Sequence, residues 1–145
     1  HPIPTLAAFP WQTRVVARFA DSDGRRLASD HWLSRSAEQS RVEFLDQIFS
    51  SAPRGLGGMM VAHVGLTWFR RTAPATQCEI GCGVAHLGAR SVAMRAAMVE
   101  DGECVAVADS VMVAIDTQTR RSVDLSDGLR ERLLPWRMRN DDAAA

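Results

Sequence analysis

The feature that most constrains this chain is a strand-like segment that leads through an acidic loop into a long helix. The segment spans residues 18–48, and its loop contains Asp21 and Asp23. The first turn of a helix leaves backbone N–H groups without intrahelical partners, and the helix dipole favours negative charge there. A carboxylate beside such donors is suited to chemistry at a carbonyl group. We therefore treat this loop as the candidate site and expect the rest of the chain to hold it in place.

The composition predicts one globular domain and no strongly charged partner. The chain has 145 residues, of which 46% are hydrophobic and 23% charged, and this is enough to bury a hydrophobic core. We predict a single domain over residues 1–145 with an ordered core at about residues 12–135. Seventeen basic residues balance seventeen acidic ones, so no net field favours nucleic acid or a membrane surface.

The three cysteines predict buried free thiols in a cytoplasmic protein. Cys78, Cys82 and Cys104 are too few and too irregularly spaced for a disulfide framework. A zinc site would need further ligands at suitable spacing, and none accompanies them. Free thiols without a signal peptide or a long apolar run favour the cytoplasm. Because His1 stands where a chain would start with Met, a targeting segment removed from this end stays an alternative.

Hydrophobic periodicity predicts an α+β domain in which one long central helix is wrapped by a mostly antiparallel sheet of about five strands. The proline-rich residues 1–11 predict an extended arm, and residues 50–58 and 140–145 predict a loop and a frayed end. The predicted elements are a strand at 13–19, a helix at 31–49, strands at 59–70, Gln77–Leu87, 91–99 and Glu103–Ile115, and a short helix at 126–134.

Strict alternation along the strands predicts which side chains share a face. On the second strand, one face would carry Met60, Ala62, Val64, Leu66 and Trp68, and the other Val61, His63, Gly65, Thr67 and Phe69. On the last strand, the alternation predicts a face of mostly small residues over which a helix could lie closely: Cys104, Ala106, Ala108, Ser110, Met112 and Ala114.

In the order and spacing of its predicted elements and short motifs, the chain resembles the hot-dog fold, and within it the acyl-CoA thioesterases typified by 4-hydroxybenzoyl-CoA thioesterase. Arg41 follows Asp23 by eighteen positions, the interval usual between the family's aspartate and the arginine on its helix. The similarity spans residues 13–115. The matching segments are residues 19–23 (Phe-Ala-Asp-Ser-Asp), residues 40–45 (Ser-Arg-Val-Glu-Phe-Leu), Phe69 with Pro74, and residues 88–91 (Gly-Ala-Arg-Ser).

The resemblance implies hydrolysis of an acyl-CoA thioester to a free acid and coenzyme A, without a metal or redox cofactor. It implies a homodimer or homotetramer with each site between two subunits. In the family the second aspartate of the acidic pair is catalytic, so the role passes to Asp23, either as nucleophile or as general base. Backbone N–H groups near His31 and Trp32 would serve as an oxyanion hole. The resemblance and the strand pattern give the candidate substrate-binding residues as Asp30, His31, Trp32, His63, Arg90 and Ser91.

The loop departs from the family pattern at two positions. Many members carry a glycine where this chain has Arg26, and Asn or His where it has Asp30. Either Ser29 or Asp30 is predicted to cap the helix that follows, and Asp30 is alternatively a second catalytic carboxylate of the site. Two other functions stay open. One is a non-catalytic module that binds acyl-CoA or an acyl carrier, and the other is a dehydratase or hydratase that uses Asp30 and His31.

Overall fold

A long helix lies across one face of an antiparallel sheet in the computed structural model, which describes residues 3–49 and 58–139. The strands run in the order β1-β3-β4-β5-β2, and every neighbouring pair is antiparallel. This is the hot-dog fold and the α+β class that the sequence predicts. The elements are β1 (Trp11–Val16), α1 (Asp30–Phe49), β2 (Gly58–Trp68), β3 (Gln77–Leu87), β4 (Ser91–Glu100), β5 (Glu103–Ile115) and α2 (Asp127–Leu133).

The predicted bounds agree closely with the structure in β3, β5 and α1. The first strand differs: it ends at Val16 rather than at residue 19, because Phe19–Asp21 forms a 3-10 turn instead of continuing the sheet. The predicted arm contains a further 3-10 turn at Leu6–Ala8. The loop predicted at residues 50–58 falls, apart from Gly58, outside the described residues, and so does the predicted frayed end at 140–145.

A β-bulge in β2 makes part of the predicted face assignment wrong. Val61 lies opposite Met112 and His63 lies opposite Val111, so Ala62 is an extra residue in the strand. One extra residue moves every side chain before it to the other face. The helix-facing side chains of β2 are therefore Met59, Val61, Val64, Leu66 and Trp68, while Met60, His63, Gly65 and Thr67 lie on the outer face.

A second irregularity, at the start of β5, overturns the predicted position of Cys104. The register shifts between Met98 and Val99 on β4, opposite the first residues of β5. Val105 consequently joins the core beneath α1, whereas Cys104 packs against a separate cluster on the outer face. The prediction that Cys104 shares a face with Ala106 is wrong because Val105 is an extra residue between them, as Ala62 is in β2.

The core sits between α1 and the inner face of the sheet. From the helix, Leu33, Phe44 and Ile48 are buried at helical spacing. The Phe44 ring lies 5.8 Å from the ring of Trp11 and 5.8 Å from that of Trp136. Burial of each such side chain contributes about 1.5–3 kcal/mol, so this contact fixes the helix on the sheet.

The outer face of the sheet is covered in part by segments from the two ends of the described chain. A Cβ added to Gly81 would lie 2.6 Å from Phe9, and one added to Gly83 would lie 2.8 Å from Met138. The backbone N–H of Arg139 donates to the carbonyl of Ala8 over 2.7 Å. The two glycines therefore leave the space that these segments occupy.

We predict that Gly81→Ala destabilises the protein by about 1–3 kcal/mol, because the new methyl group would overlap the Phe9 side chain. Urea denaturation would measure the change. Gly65→Ala is the matched control: the nearest atom to its new Cβ is His63 Nε2 at 3.4 Å, which is ordinary contact. Equal loss in both variants would show that the packing of Phe9 on Gly81 does not matter.

Candidate active site

The acidic loop between β1 and α1 is closed by its own backbone. The N–H of Asp23 donates to the carbonyl of Leu27 over 2.7 Å, and the N–H of Arg26 donates to the carbonyl of Asp23 over 3.1 Å. The N–H of Ser29 donates to the carbonyl of Asp21 over 2.9 Å. These bonds hold the loop as a folded unit directly before the helix.

Within this loop, the Asp23 carboxylate is oriented by two backbone donors. Its Oδ1 accepts hydrogen bonds from the N–H of Arg25 at 2.8 Å and of Leu27 at 3.1 Å. These bonds, with smaller contributions from the charges of Arg71 and Arg25, hold the pKa of Asp23 below its ordinary value. The group is therefore ionised at neutral pH. Among the described residues, Oδ2 has no hydrogen-bond donor, so this oxygen is the one available for chemistry.

Asp21, the first aspartate of the pair, has a structural role. Its Oδ2 accepts hydrogen bonds from the backbone N–H of Arg18 at 2.9 Å and from Arg18 Nε at 3.1 Å. The side-chain hydrogen bond to Arg18 is the main cause of its lowered pKa. Asp21 thus connects the segment after β1 to the loop, and Asp23 is the member of the pair with an oxygen unbound among the described residues.

Helix α1 is capped by Ser29. Ser29 Oγ accepts the N–H of Trp32 at 3.1 Å, and the Ser29 carbonyl accepts the N–H of Leu33. The alternative in which Asp30 is the N-cap is therefore wrong, because the helix begins at Asp30 itself. Of the two amides expected to form an oxyanion hole, that of Trp32 is already bonded. In the described part of the chain, the amides of Asp30 and His31 have no acceptor.

Asp30 lies in an ion pair that the sequence does not reveal. Its Oδ1 is 2.7 Å from Arg71 Nη1 and accepts a hydrogen bond from Trp68 Nε1 at 2.8 Å. The Arg71 guanidinium lies 4.9 Å from the centre of the Trp68 ring, which stacks on Trp32 at 6.5 Å. We call Asp30, Trp68 and Arg71 the Arg71 cluster. Sequence analysis missed Trp68 and Arg71 as residues of the site, since no short-range pattern links them to Asp30.

Within a single chain, the structure brings together four of the seven predicted site residues. Asp30, His31 and Trp32 lie in the first turn of α1, and Asp23 lies in the loop directly before it. His31 is exposed, and Trp32 is only 6% exposed. His63 is not among them, because its side chain is on the outer face of the sheet, away from α1.

Arg90 and Ser91 lie at the opposite end of the sheet from Asp23. Val16, at the end of β1, pairs with Gln77, the first residue of β3, so the acidic loop follows that end. The turn with Arg90 follows the last residue of β3, about 35 Å away along an eleven-residue strand. Arg90 Nε is 2.9 Å from Asp124 Oδ1, so its charge is already paired.

The described residues offer no obvious metal site. No three His, Cys, Asp or Glu side chains in residues 3–49 and 58–139 lie close enough together to hold a metal ion. Cys78 and Cys82 are buried free thiols, as predicted, and burial raises their pKa values to about 11 and about 12. Such thiols are unreactive near neutral pH. In the same part of the chain, no helix has the length and apolar character needed to cross a membrane.

Comparison with known proteins gives matches in structure only. No protein-family model matches the chain, and no curated protein sequence matches it significantly. The PA5185 protein of Pseudomonas aeruginosa superposes with a TM-score of 0.78 at 20% identity, over 94% of this chain and 98% of its own. A Thermus thermophilus thioesterase, solved with coenzyme A and zinc, gives 0.77 at 24% identity, over 89% and 95%. A predicted thioesterase from Bacillus stearothermophilus gives 0.78 at 16% identity, over 90% and 98%.

The chain shares the hot-dog fold of these proteins. At identities below 25%, the likeness establishes the fold alone. It nevertheless agrees with the resemblance drawn from the sequence, since both lead to hot-dog thioesterases.

The backbone of the loop suits a glycine at position 26, where this chain has Arg26 and departs from the pattern of the family that it resembles. Arg26 has a φ of 61°, in the left-handed region that costs a non-glycine residue about 1–2 kcal/mol. We predict that Arg26→Gly stabilises the protein by up to about 1 kcal/mol, because the greater freedom of glycine in the unfolded chain offsets part of the gain. Chemical denaturation would measure it. Arg25→Gly, at a position without a positive φ, is the control and is expected to lower stability.

Proposed function

We propose that the protein is an acyl-CoA thioesterase, which hydrolyses an acyl thioester to a free acid and coenzyme A. The observation that carries the proposal is Asp23: an ionised carboxylate with one oxygen held by two backbone N–H groups and the other unbound among the described residues. It lies in the loop directly before a helix whose first amides are unbonded in that same part of the chain. The hot-dog thioesterases that share the fold support the assignment.

In the proposed reaction, Asp23 Oδ2 attacks the thioester carbonyl carbon. Negative charge then develops on the carbonyl oxygen, and the amides of Asp30 and His31 would stabilise it. The carbon–sulfur bond breaks, coenzyme A leaves as a thiolate that takes a proton from water, and water hydrolyses the acyl–Asp23 anhydride. In the alternative route, the same ionised carboxylate acts as a general base on a water molecule that attacks the carbonyl carbon.

The proposed assembly is at least a dimer formed along the free edge of β2. Within residues 3–49 and 58–139, strand β2 pairs with β5 on one side and with no strand on the other, and its exposed side chains include Val64, at 44%, and Leu66, at 38%. An exposed apolar edge of this kind requires a cover. A second copy pairing antiparallel with β2 would supply one, and its Arg90 end would then lie beside Asp23 of the first copy.

This arrangement would bring in two of the three predicted residues that a single chain leaves apart, while His63 stays on the outer face of the sheet. The site would combine Asp23 and the start of α1 from one subunit with Arg90 and Ser91 from the other. Arginine suits the phosphates of coenzyme A because its planar guanidinium forms paired, charge-assisted hydrogen bonds. A phosphate would compete there with Asp124 for Arg90.

We expect Asp23→Asn to lower the rate of thioester hydrolysis at least about a hundredfold, which corresponds to roughly 3 kcal/mol of barrier. The change keeps the size of the side chain and removes its charge. Release of free thiol from short, long and aromatic acyl-CoAs would measure it. Asp46→Asn, an exposed aspartate near the far end of α1, is the control. Tight binding of an acyl-CoA without turnover by the unmodified protein would instead favour a non-catalytic binding module.

We expect Val64→Arg to split the dimer. A charge placed in the apolar interface would cost about 2 kcal/mol or more and raise the dissociation constant about thirtyfold or more. Analytical ultracentrifugation would then show the 15.9 kDa chain alone, with hydrolysis lost in parallel. Val16→Arg, on the other edge strand and 48% exposed, should leave both properties intact. A monomeric unmodified protein that still hydrolyses acyl-CoA would contradict the two-subunit site.

A further inference from the structure

Arg71 lies where the acidic loop, helix α1 and the connection between β2 and β3 meet. Its Nη1 is 2.7 Å from Asp30 Oδ1, in the first turn of the helix, and donates to the carbonyl of Ala28 at 3.4 Å. The N–H of Ala28 donates in turn to the carbonyl of Thr72 over 2.7 Å. Both polar groups of the Ala28 backbone are therefore held by two adjacent residues of the β2–β3 connection.

The same arginine is itself held in place by Trp68, the last residue of β2. The guanidinium lies over the indole ring at 4.9 Å, and the indole N–H bonds the same oxygen of Asp30 as Arg71 does. Stacking and hydrogen bonding together are a property of arginine, and the compact ammonium group of lysine does not reproduce both. The Arg71 cluster thus joins the end of the edge strand to the start of the helix.

Ala28 is adjacent to one of the two residues that orient Asp23. The N–H of Leu27 donates to Asp23 Oδ1, and its carbonyl accepts the N–H of Asp23. A shift of the Ala28 backbone would therefore move Leu27 and loosen both bonds. Asp30, on the other side, provides one of the amides proposed for the oxyanion. Arg71 consequently contacts the chain on both sides of Ser29: at Ala28, which adjoins the Leu27 that orients the proposed nucleophile, and at Asp30, which provides a proposed oxyanion donor.

Two arginines, Arg71 and Arg25, place a positive charge near Asp23, and their side chains differ in the other residues that they contact. Arg25 lies on the same loop and Arg71 on the β2–β3 connection, and each lowers the pKa of Asp23. The nearby carboxylates are already paired, Asp21 with Arg18 and Asp30 with Arg71. No contact of the Arg25 side chain with the Arg71 cluster is seen in the described residues. The Arg25 side chain therefore supplies charge, while the backbone N–H of Arg25, which donates to Asp23 Oδ1, is kept when only the side chain is changed. A side-chain variant of Arg25 is thus the comparison for loss of charge without loss of a contact to the Arg71 cluster.

We propose that Arg71 is a positioning residue of the thioesterase site, which holds Ala28 and Asp30 so that the Asp23 carboxylate and the first amides of α1 keep a fixed relative geometry. This inference rests on the proposed function. It adds to that function a specific long-range contact, between a residue that follows the edge strand and the loop that carries the nucleophile.

The test compares Arg71→Met, Arg71→Lys and Arg25→Met with the unmodified protein in hydrolysis of an acyl-CoA. Misplacement of a reacting group by a small distance costs rate rather than binding, so we expect Arg71→Met to lower kcat at least about tenfold with KM changed less than about threefold. Arg71→Lys keeps the positive charge but should recover little of the kcat that Arg71→Met loses. Arg25→Met removes a charge near Asp23 but keeps the backbone hydrogen bond to it, so it should lower kcat clearly less than Arg71→Met does. Equal losses in Arg71→Met and Arg25→Met, or full rescue by lysine, would overturn the positioning role in favour of charge alone.

Two further readouts need no substrate. In carbon-13 titrations, the pKa of Asp23 should rise in both Arg71→Met and Arg25→Met, because each removes a positive charge. Amide hydrogen exchange at Leu27 and Ala28 should become faster in Arg71→Met only. Unchanged exchange in Arg71→Met would overturn the positioning role. Faster exchange together with no hydrolysis of any acyl-CoA by the unmodified protein would support the positioning role and overturn the proposed function.

Discussion

Helix α1 buries Leu33, Phe44 and Ile48 against the inner face of the sheet, and this hydrophobic contact sets the position of the helix's first turn. The proposed chemistry needs a carboxylate and a set of backbone donors at a fixed separation. A helix anchored along its whole length supplies the donors, because its backbone is rigid once the apolar stripe is packed. The loop before the helix then has little freedom, since its two ends are attached to α1 and to β1.

The remaining freedom of the loop is removed by polar contacts with the β2–β3 connection. The N–H of Ala75 donates to the carbonyl of Ala17 just before the loop, and the carbonyl of Thr72 accepts the N–H of Ala28 near its end. The β2–β3 connection thus supports the loop between β1 and α1. One of the contacts between the loop region and this connection is an ion pair, which joins Asp30 to Arg71. The Trp68 ring covers one side of its guanidinium group. The site is thus held by hydrophobic packing of α1 on the sheet and by a small polar network between the loop and the β2–β3 connection.

The sequence predicts the parts of this structure that depend on local patterns. Turn chemistry and a nearby helix start predict the acidic loop, and the backbone donors that hold Asp23 are indeed only two and four positions away. The choice of Asp23 within that loop comes from the family resemblance. The bulge at Ala62 leaves no trace in hydrophobicity, since valine, alanine and methionine suit either face. The pairing of Asp30 with Trp68 spans 38 residues and depends on how β2 ends near α1. Ser29 and Asp30 are both good capping residues, and only tertiary packing decides between them.

The absence of charged residues in strand β2 favours aggregation of newly synthesised chains. Its eleven residues, Gly58–Trp68, include no Asp, Glu, Lys or Arg, whereas β1 at the opposite edge has Arg14. Natural edge strands usually carry charges or prolines that discourage the attachment of foreign strands. In the proposed dimer this edge is covered. A chain that has folded but has not yet paired would expose it, so that β2 would be a template for aggregation. The strand that would form the proposed interface is thus also the one that favours aggregation of single chains.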